Sequence, residues 1–75
     1  MKRSLATIQR DLSANLKELR VTKGLSQEDL ALTADVDRTY VSQIERGVGN
    51  PSIRVVSALA SSLGVDIGDL LKQRR

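Results

Sequence analysis

The first apolar residues of the chain recur at helical spacing. They follow one another at intervals of 3, 4, 4 and 3 residues: Leu5, Ile8, Leu12, Leu16 and Leu19. This spacing places them on one face of an amphipathic helix. Gly24 follows Lys23 and is a typical C-terminal stop, so the pattern predicts a first helix that ends near this glycine.

Two shorter helices are expected next, separated by a turn of about three residues. Ser26 is a favourable N-cap residue, and Asp29, three positions later, supplies the carboxylate for a variant of the capping box. This second helix continues to about Ala34. Asp37 is the N-cap residue of a third helix that runs to about Arg46. So short a turn between helices is typical of a helix-turn-helix rather than an antiparallel hairpin.

A loop rich in glycine, asparagine and proline separates these helices from the C-terminal third of the chain. Ser52 is expected to cap a fourth helix, which Gly64 ends, and Asp66 to cap a short fifth helix over about residues 66–73. The apolar positions of these two helices are Ile53, Val56, Leu59, Ala60, Leu63, Ile67, Leu70 and Leu71. The predicted fold is all-α, a compact five-helix bundle in one domain, residues 1–75, with the helix-turn-helix at about 26–46.

Composition excludes several classes of chemistry. The 75 residues include no cysteine and no histidine, so thiolate metal sites, disulfides and imidazole acid–base catalysis are not expected. We expect no enzyme activity, no cofactor and no small-molecule ligand. The net charge of +3 permits nucleic-acid binding without requiring it.

The basic N-terminus raises the possibility of a signal peptide. Gln9, Arg10 and Asp11 interrupt its apolar stretch too early for one. No run of the chain approaches the ~20 apolar residues of a membrane span. The sequence therefore predicts a soluble, cytoplasmic protein with no membrane partner.

The third helix has two different faces. At about 100° per residue, Val41 and Ile44 lie together and are predicted to face the core. The opposite face is polar, carries no acidic residue, and comprises Thr39, Ser42, Gln43 and Arg46, with Arg38 at its edge. Arginine pairs with guanine and glutamine with adenine, and the two hydroxyls reach either bases or phosphates. This face is suited to a DNA groove, although an ordinary solvated helix face has the same pattern.

The segment LSQEDLALTADVDRTYVSQIERGVGNPS, residues 25–52, resembles the helix-turn-helix of the phage Cro and repressor family, also called the XRE family. DRTYVSQIERG with NPS also resembles the controller proteins of restriction–modification systems. The likeness extends over residues 16–71. It implies a phage repressor-like DNA-binding domain that binds a double-stranded DNA operator.

The resemblance assigns roles to individual positions. It implies base-reading roles for Arg38, Thr39, Ser42 and Gln43. It implies contacts to the DNA backbone for Gln27, Tyr40, Arg46, Asn50, Ser52 and Arg54. For Asn50 and Ser52, turn and cap chemistry is an alternative that is compatible with DNA contact, and Tyr40 is equally compatible with a partly buried position.

Two further features come from the family pattern. Arg20 and Glu45 match positions that form a structural ion pair between the first and third helices. Asp35 stands where the family usually has glycine with a positive φ. Aspartate tolerates this region better than most residues, so we expect the turn to form at some loss of stability.

The apolar residues near the C-terminus exceed what a small core requires. We interpret Val55, Val65, Ile67, Leu70 and Leu71 as candidates for a dimer interface, although they could simply close the core. The predicted function is a homodimeric, sequence-specific transcriptional regulator on a near-palindromic operator, with control of a restriction–modification operon suggested by the resemblance. An antitoxin-type module that binds a partner toxin is the alternative.

Overall fold

Five α-helices follow one another in the part of the chain that the computed structural model describes, residues 2–74. They are α1 (Leu5–Thr22), α2 (Gln27–Ala34), α3 (Arg38–Glu45), α4 (Ile53–Leu63) and α5 (Ile67–Leu71). No strand occurs within these described residues. The prediction of an all-α, five-helix fold with a helix-turn-helix is therefore confirmed.

The predicted N-caps form as expected. The Ser26 hydroxyl accepts a hydrogen bond from the Asp29 backbone N–H (2.9 Å), and the Asp29 carboxylate accepts one from the Ser26 N–H (3.0 Å), which completes the capping box. Asp37 caps α3 by accepting from the Thr39 N–H, Ser52 caps α4 by accepting from the Val55 N–H, and Asp66 caps α5 with a second capping box that includes Asp69. Each cap satisfies N–H groups that have no partner within the helix, so the chain's helix boundaries follow from local chemistry.

One boundary differs from its prediction. The fifth helix ends at Leu71, short of the expected residue 73, and Lys72 is extended with φ −61° and ψ 137°. The Asn15 side chain donates hydrogen bonds to the carbonyls of Leu70 and Lys72, both at 2.8 Å. These bonds hold the tail along α1 and end the helix early.

The core consists of aliphatic side chains from every helix: Leu12, Leu16, Leu30, Ala31, Val41, Ile44, Val56, Leu59, Ala60, Leu63 and Leu70. Two residues of the predicted apolar stripes lie outside this core, since Leu5 and Ile53 are 61% and 69% exposed. Each is the first residue of its helix, so its side chain lies at the edge of the core rather than within it. No helix within residues 2–74 combines the length and the apolar character that crossing a bilayer requires.

The packing of α5 corrects the prediction for Leu70. This short helix lies against α1 and α4, and the Leu70 side chain has no exposed surface. Leu70 therefore closes the core of the single chain and is not available to a dimer partner. The other four candidates, Val55, Val65, Ile67 and Leu71, pack against the core but remain partly exposed.

The turn between α2 and α3 contains the expected backbone conformation. Asp35 has φ 56° and ψ 45°, in the left-handed region, and is the single residue other than glycine with positive φ among residues 2–74. Its N–H donates to the Leu32 carbonyl at 3.2 Å, which closes α2. A residue with a Cβ is strained here by about 1–2 kcal/mol relative to a right-handed conformation, and the expected loss of stability stays a prediction.

Candidate nucleic-acid interface

Helix α3 is held on one side and open on the other. Val41 and Ile44 are 0% and 3% exposed and pack into the core, so the predicted inner face is confirmed. On the outer side Arg38 and Thr39 are exposed and Ser42 is half-buried, and these three line an open hollow on the surface. A short helix anchored by two apolar residues thus presents its polar side to solvent.

The far end of this outer face joins the loop between α3 and α4. Tyr40 and Gln43 of α3 line a small hollow together with Asn50 of the loop. Tyr40 remains 43% exposed, so its ring lies at the surface beside the polar face. Candidate base-reading and backbone-contacting residues are consequently neighbours on one continuous surface.

A buried ion pair fixes the C-terminal half of α3. Arg20 of α1 donates to both Glu45 carboxylate oxygens, Nε to Oε2 at 2.6 Å and Nη2 to Oε1 at 2.9 Å. Arg20 also donates from Nη1 to the Leu25 carbonyl at 2.7 Å. The two side chains are only 13% and 4% exposed. This bidentate geometry restricts both distance and angle between α1 and α3.

The electrostatics of this pair favour the ionised carboxylate. Burial raises the pKa of Glu45, but the hydrogen bonds from Arg20 and Gln27 and the positive charge of Arg20 outweigh it, so its pKa lies below the ordinary value. The same hydrogen bond raises the pKa of Arg20. Both groups therefore stay charged throughout the neutral range.

Gln27 links the ion pair to the candidate backbone contacts. This residue is the first of α2, and its Nε2 donates to Glu45 Oε1 at 3.1 Å. A side-chain amide nitrogen carries two hydrogens, so one hydrogen is left for an outside acceptor. The arrangement is compatible with the predicted phosphate contact, which stays a prediction.

The remaining candidates lie after α3 and at the start of α4. Arg46 and Arg54 are exposed, and Arg46 Nε lies 3.4 Å from the Ser42 carbonyl, a long distance for a hydrogen bond. The Ser52 hydroxyl accepts from the Val55 N–H at 3.2 Å and so has the predicted capping role. DNA contact by Arg46, Ser52 and Arg54 stays a prediction.

Ser13 and Gln9 of α1 support this surface, although the sequence analysis did not identify them as site residues. The Ser13 hydroxyl donates to the Glu45 carbonyl at 2.6 Å, at the end of α3. Gln9 Nε2 donates to the Gly49 carbonyl and to Asn50 Oδ1, each at 2.8 Å. Ser13 thereby satisfies one of the carbonyls that a helix C-terminus leaves without a partner, and Gln9 attaches the following loop to α1.

A signal for these residues is present in the sequence. Gln9, Ser13 and Arg20 stand at intervals of four and seven residues, which places all three on one stripe of α1. Each bonds to α3 or to the loop that follows it. We call these three residues the α1 polar stripe.

Comparison with known proteins places this architecture in a family. A helix-turn-helix family model, HTH_3, matches residues 16–70, which include α2, α3 and α4 completely. This chain belongs to the helix-turn-helix family HTH_3. It carries a DNA-binding module of the kind found in transcriptional regulators, as the resemblance to the XRE family implied. Gln9 and Ser13 precede the matched region, whereas Arg20 lies within it.

Individual relatives of this helix-turn-helix chain include regulators and controllers. Control protein C.BamHI from Bacillus amyloliquefaciens is 42% identical over 57 residues, covering 75% of this chain and 70% of that protein. The crystal structure of the restriction-modification controller protein C.AhdI from Aeromonas hydrophila matches with a TM-score of 0.76 and 42% identity, covering 80% of this chain and 91% of that one. The HTH-type transcriptional regulator DdrOP3 from Deinococcus deserti is 41% identical over 61 residues, covering 81% of this chain. This chain spans about half of that regulator's length, 47%.

Proposed function

We propose that this helix-turn-helix chain is a transcriptional regulator that binds a specific double-stranded DNA site through the outer face of α3. The observation that carries the proposal is the two-sided character of α3. Its inner residues are buried, its outer residues are polar and accessible, and its tilt is fixed by the Arg20–Glu45 pair. A helix held in this way can enter a major groove without reorganising.

In this proposal the outer face reads bases and its surroundings hold the backbone. Arg38 and Gln43 have the donors that recognise guanine and adenine, and Thr39 and Ser42 supplement them. The proposed backbone contacts come from the start of α2, from α3 and the residue that follows it, from the next loop and from the start of α4: Gln27, Tyr40, Arg46, Asn50, Ser52 and Arg54. Contacts from both sides would set the register of α3 in the groove.

We also propose that the protein acts as a homodimer. A single α3 spans only a few base pairs, and regulators of this type place two recognition helices about 34 Å apart on a near-palindromic site. Val55, Val65, Ile67 and Leu71 are the apolar residues near the C-terminus that keep some exposed surface. The controller relatives support control of a restriction–modification operon as its role. It would act in the cytoplasm, by binding alone and without catalysis.

The experiment that tests this function is footprinting on the DNA that flanks the protein's own gene. We expect one symmetric protected region, with log K falling linearly with log salt at a slope of about −0.9 for each phosphate neutralised. A random duplex of equal length is the control. Equal affinity for both duplexes, or specific binding that does not change with salt, would refute sequence-specific recognition through these residues.

A further inference from the structure

The hydrogen bonds of Gln9 determine the orientation of its own amide. Its Nε2 lies 2.8 Å from the Gly49 carbonyl oxygen and 2.8 Å from Asn50 Oδ1. A backbone carbonyl only accepts hydrogen bonds, so the Gln9 atom that faces it must be the NH2 group. The chemistry of the partner fixes this orientation.

The orientation of Gln9 in turn determines that of Asn50. The same NH2 group faces the Asn50 side chain, so the Asn50 atom that faces Gln9 must be the acceptor Oδ1. The Asn50 NH2 group then lies on the other side of its amide. Within residues 2–74 this group donates no hydrogen bond to the protein.

Asn50 occupies a position where this orientation matters. It is exposed and lines one hollow with Tyr40 and Gln43, on the open side of α3. Gly49 also lies close to this face, because a Cβ placed on it would be 3.5 Å from Gln43 Oε1. The donor group of Asn50 therefore sits at the margin of the surface proposed to read DNA.

We propose that Gln9 is a positioning residue that holds Asn50 with its NH2 group turned toward a DNA phosphate. The inference rests on the proposed DNA-binding function and adds to it a residue outside the HTH_3 match. A phosphate oxygen accepts hydrogen bonds and repels an amide oxygen. An unrestrained Asn50 has two amide orientations, of which only one is productive, and Gln9 removes the other before DNA arrives.

The expected effects are measurable as changes in affinity. Asn50→Ala removes a hydrogen bond to a charged group and should weaken binding roughly tenfold. Gln9→Met keeps the length of the side chain but has no donor, and we expect a loss of roughly three- to tenfold because the Asn50 amide is no longer held in one orientation. Gln73→Ala, which removes an exposed amide from the C-terminal tail, is the matched control and should bind like the wild type.

A double-mutant cycle distinguishes positioning from a separate contribution. Wild type, Gln9→Met, Asn50→Ala and the double variant are titrated with the footprinted duplex and with a random duplex at one salt concentration. If Gln9 acts through Asn50, adding Gln9→Met to Asn50→Ala causes no further loss. If Gln9 had a merely structural role, Gln9→Met would weaken binding in both the wild-type and the Asn50→Ala backgrounds, and the melting temperature would fall together with the affinity.

Two results would overturn the inference while leaving the DNA-binding function intact. One is Gln9→Met binding the footprinted duplex like the wild type while Asn50→Ala is weakened. The other is a double variant whose loss equals the product of the two single losses. A wild-type protein that does not prefer the footprinted duplex would overturn the proposed function itself, which separates the two failures.

Discussion

Replacing Arg20 with alanine should destabilise the domain strongly. The variant removes three hydrogen bonds, two to Glu45 and one to the Leu25 carbonyl. Among residues 2–74 the carboxylate of Glu45, whose side chain is 4% exposed, then keeps only the hydrogen bond from Gln27. Removing one partner of a buried ion pair costs about 3–5 kcal/mol. Since natural domains are stable by roughly 0.05–0.15 kcal/mol per residue, this loss is a large part of the free energy of unfolding.

The assay is urea denaturation followed by far-ultraviolet circular dichroism. The midpoint should fall while the dependence on urea concentration stays the same, because the surface exposed on unfolding hardly changes. Arg10→Ala is the matched control, since Arg10 is an exposed arginine of the same helix whose side chain donates no hydrogen bond within residues 2–74. It should unfold within about 0.5 kcal/mol of the wild type.

The pH dependence gives a second and independent check. In the wild type the pKa of Glu45 is lowered, so its stabilising contribution is complete above the ordinary value of about 4.3. The contribution disappears as pH falls through the lower folded pKa. In Arg20→Ala no arginine opposes the effect of burial, so the pKa of Glu45 should rise. As pH falls, Glu45 should be protonated at a higher pH in the variant than in the wild type, and protonation removes the unpaired buried charge. The stability difference between mutant and wild type should therefore narrow between neutral pH and about pH 4.

Two results would contradict a buried, stabilising Arg20–Glu45 ion pair. A loss smaller than about 1 kcal/mol at neutral pH would place Arg20–Glu45 among exposed pairs of little consequence. A stability difference that stayed constant down to about pH 4 would show that an unpaired Glu45 carboxylate is not the source of the instability. Either outcome would refute the account of how α1 holds α3.

Three further changes test separate parts of the molecule. Arg38→Ala should weaken binding to the footprinted duplex roughly ten- to a hundredfold and leave binding to random DNA nearly unaffected, because an arginine–guanine pair contributes about 1–3 kcal/mol of discrimination. If titrations give the same ratio of the two affinities as in the wild type, Arg38 does not read a base. Asp35→Gly relieves the strain of φ 56° and should raise the free energy of unfolding by up to about 1 kcal/mol in urea denaturation, since glycine's greater freedom in the unfolded chain offsets part of the gain. Val55→Asp places a carboxylate three residues after the Ser52 cap, where it can complete a capping box. We expect monomers in analytical ultracentrifugation and unchanged helicity in circular dichroism, and an unchanged dimer would remove Val55 from the interface.

The starts of the helices could be predicted because they depend on neighbours in sequence. A cap such as Ser26 needs only the N–H groups of the next turn, and the burial of Val41 and Ile44 follows from helical spacing. Asp35 belongs to the same class, because a turn residue's φ is a local property that the family pattern exposes. The outer face of α3 could be identified for the same reason.

Contacts between residues far apart in the sequence were harder to predict. The bonds of Gln9 span 40 and 41 residues, and a polar residue on a helix is most simply expected to face water. Leu70 shows the opposite error, since an apolar residue near a terminus fits a dimer interface until the crossing of α5 over α1 buries it. In both cases the missing information is the direction in which one helix lies on another.

The α1 polar stripe explains how so small a domain can hold the outer face of α3 in one orientation. Val41 and Ile44 hold α3 through apolar contacts, which have little directionality and permit a helix to slide or roll. Hydrogen bonds act along particular directions, and the stripe places them at three successive points: Arg20 on the Glu45 carboxylate, Ser13 on the last carbonyl of α3, and Gln9 on the loop. A rotation of α3 that kept its apolar contacts would break these bonds together. The stripe therefore fixes the angle at which Arg38 and Gln43 reach outward, and a shift of about 1 Å there is large compared with the tolerance of a base contact.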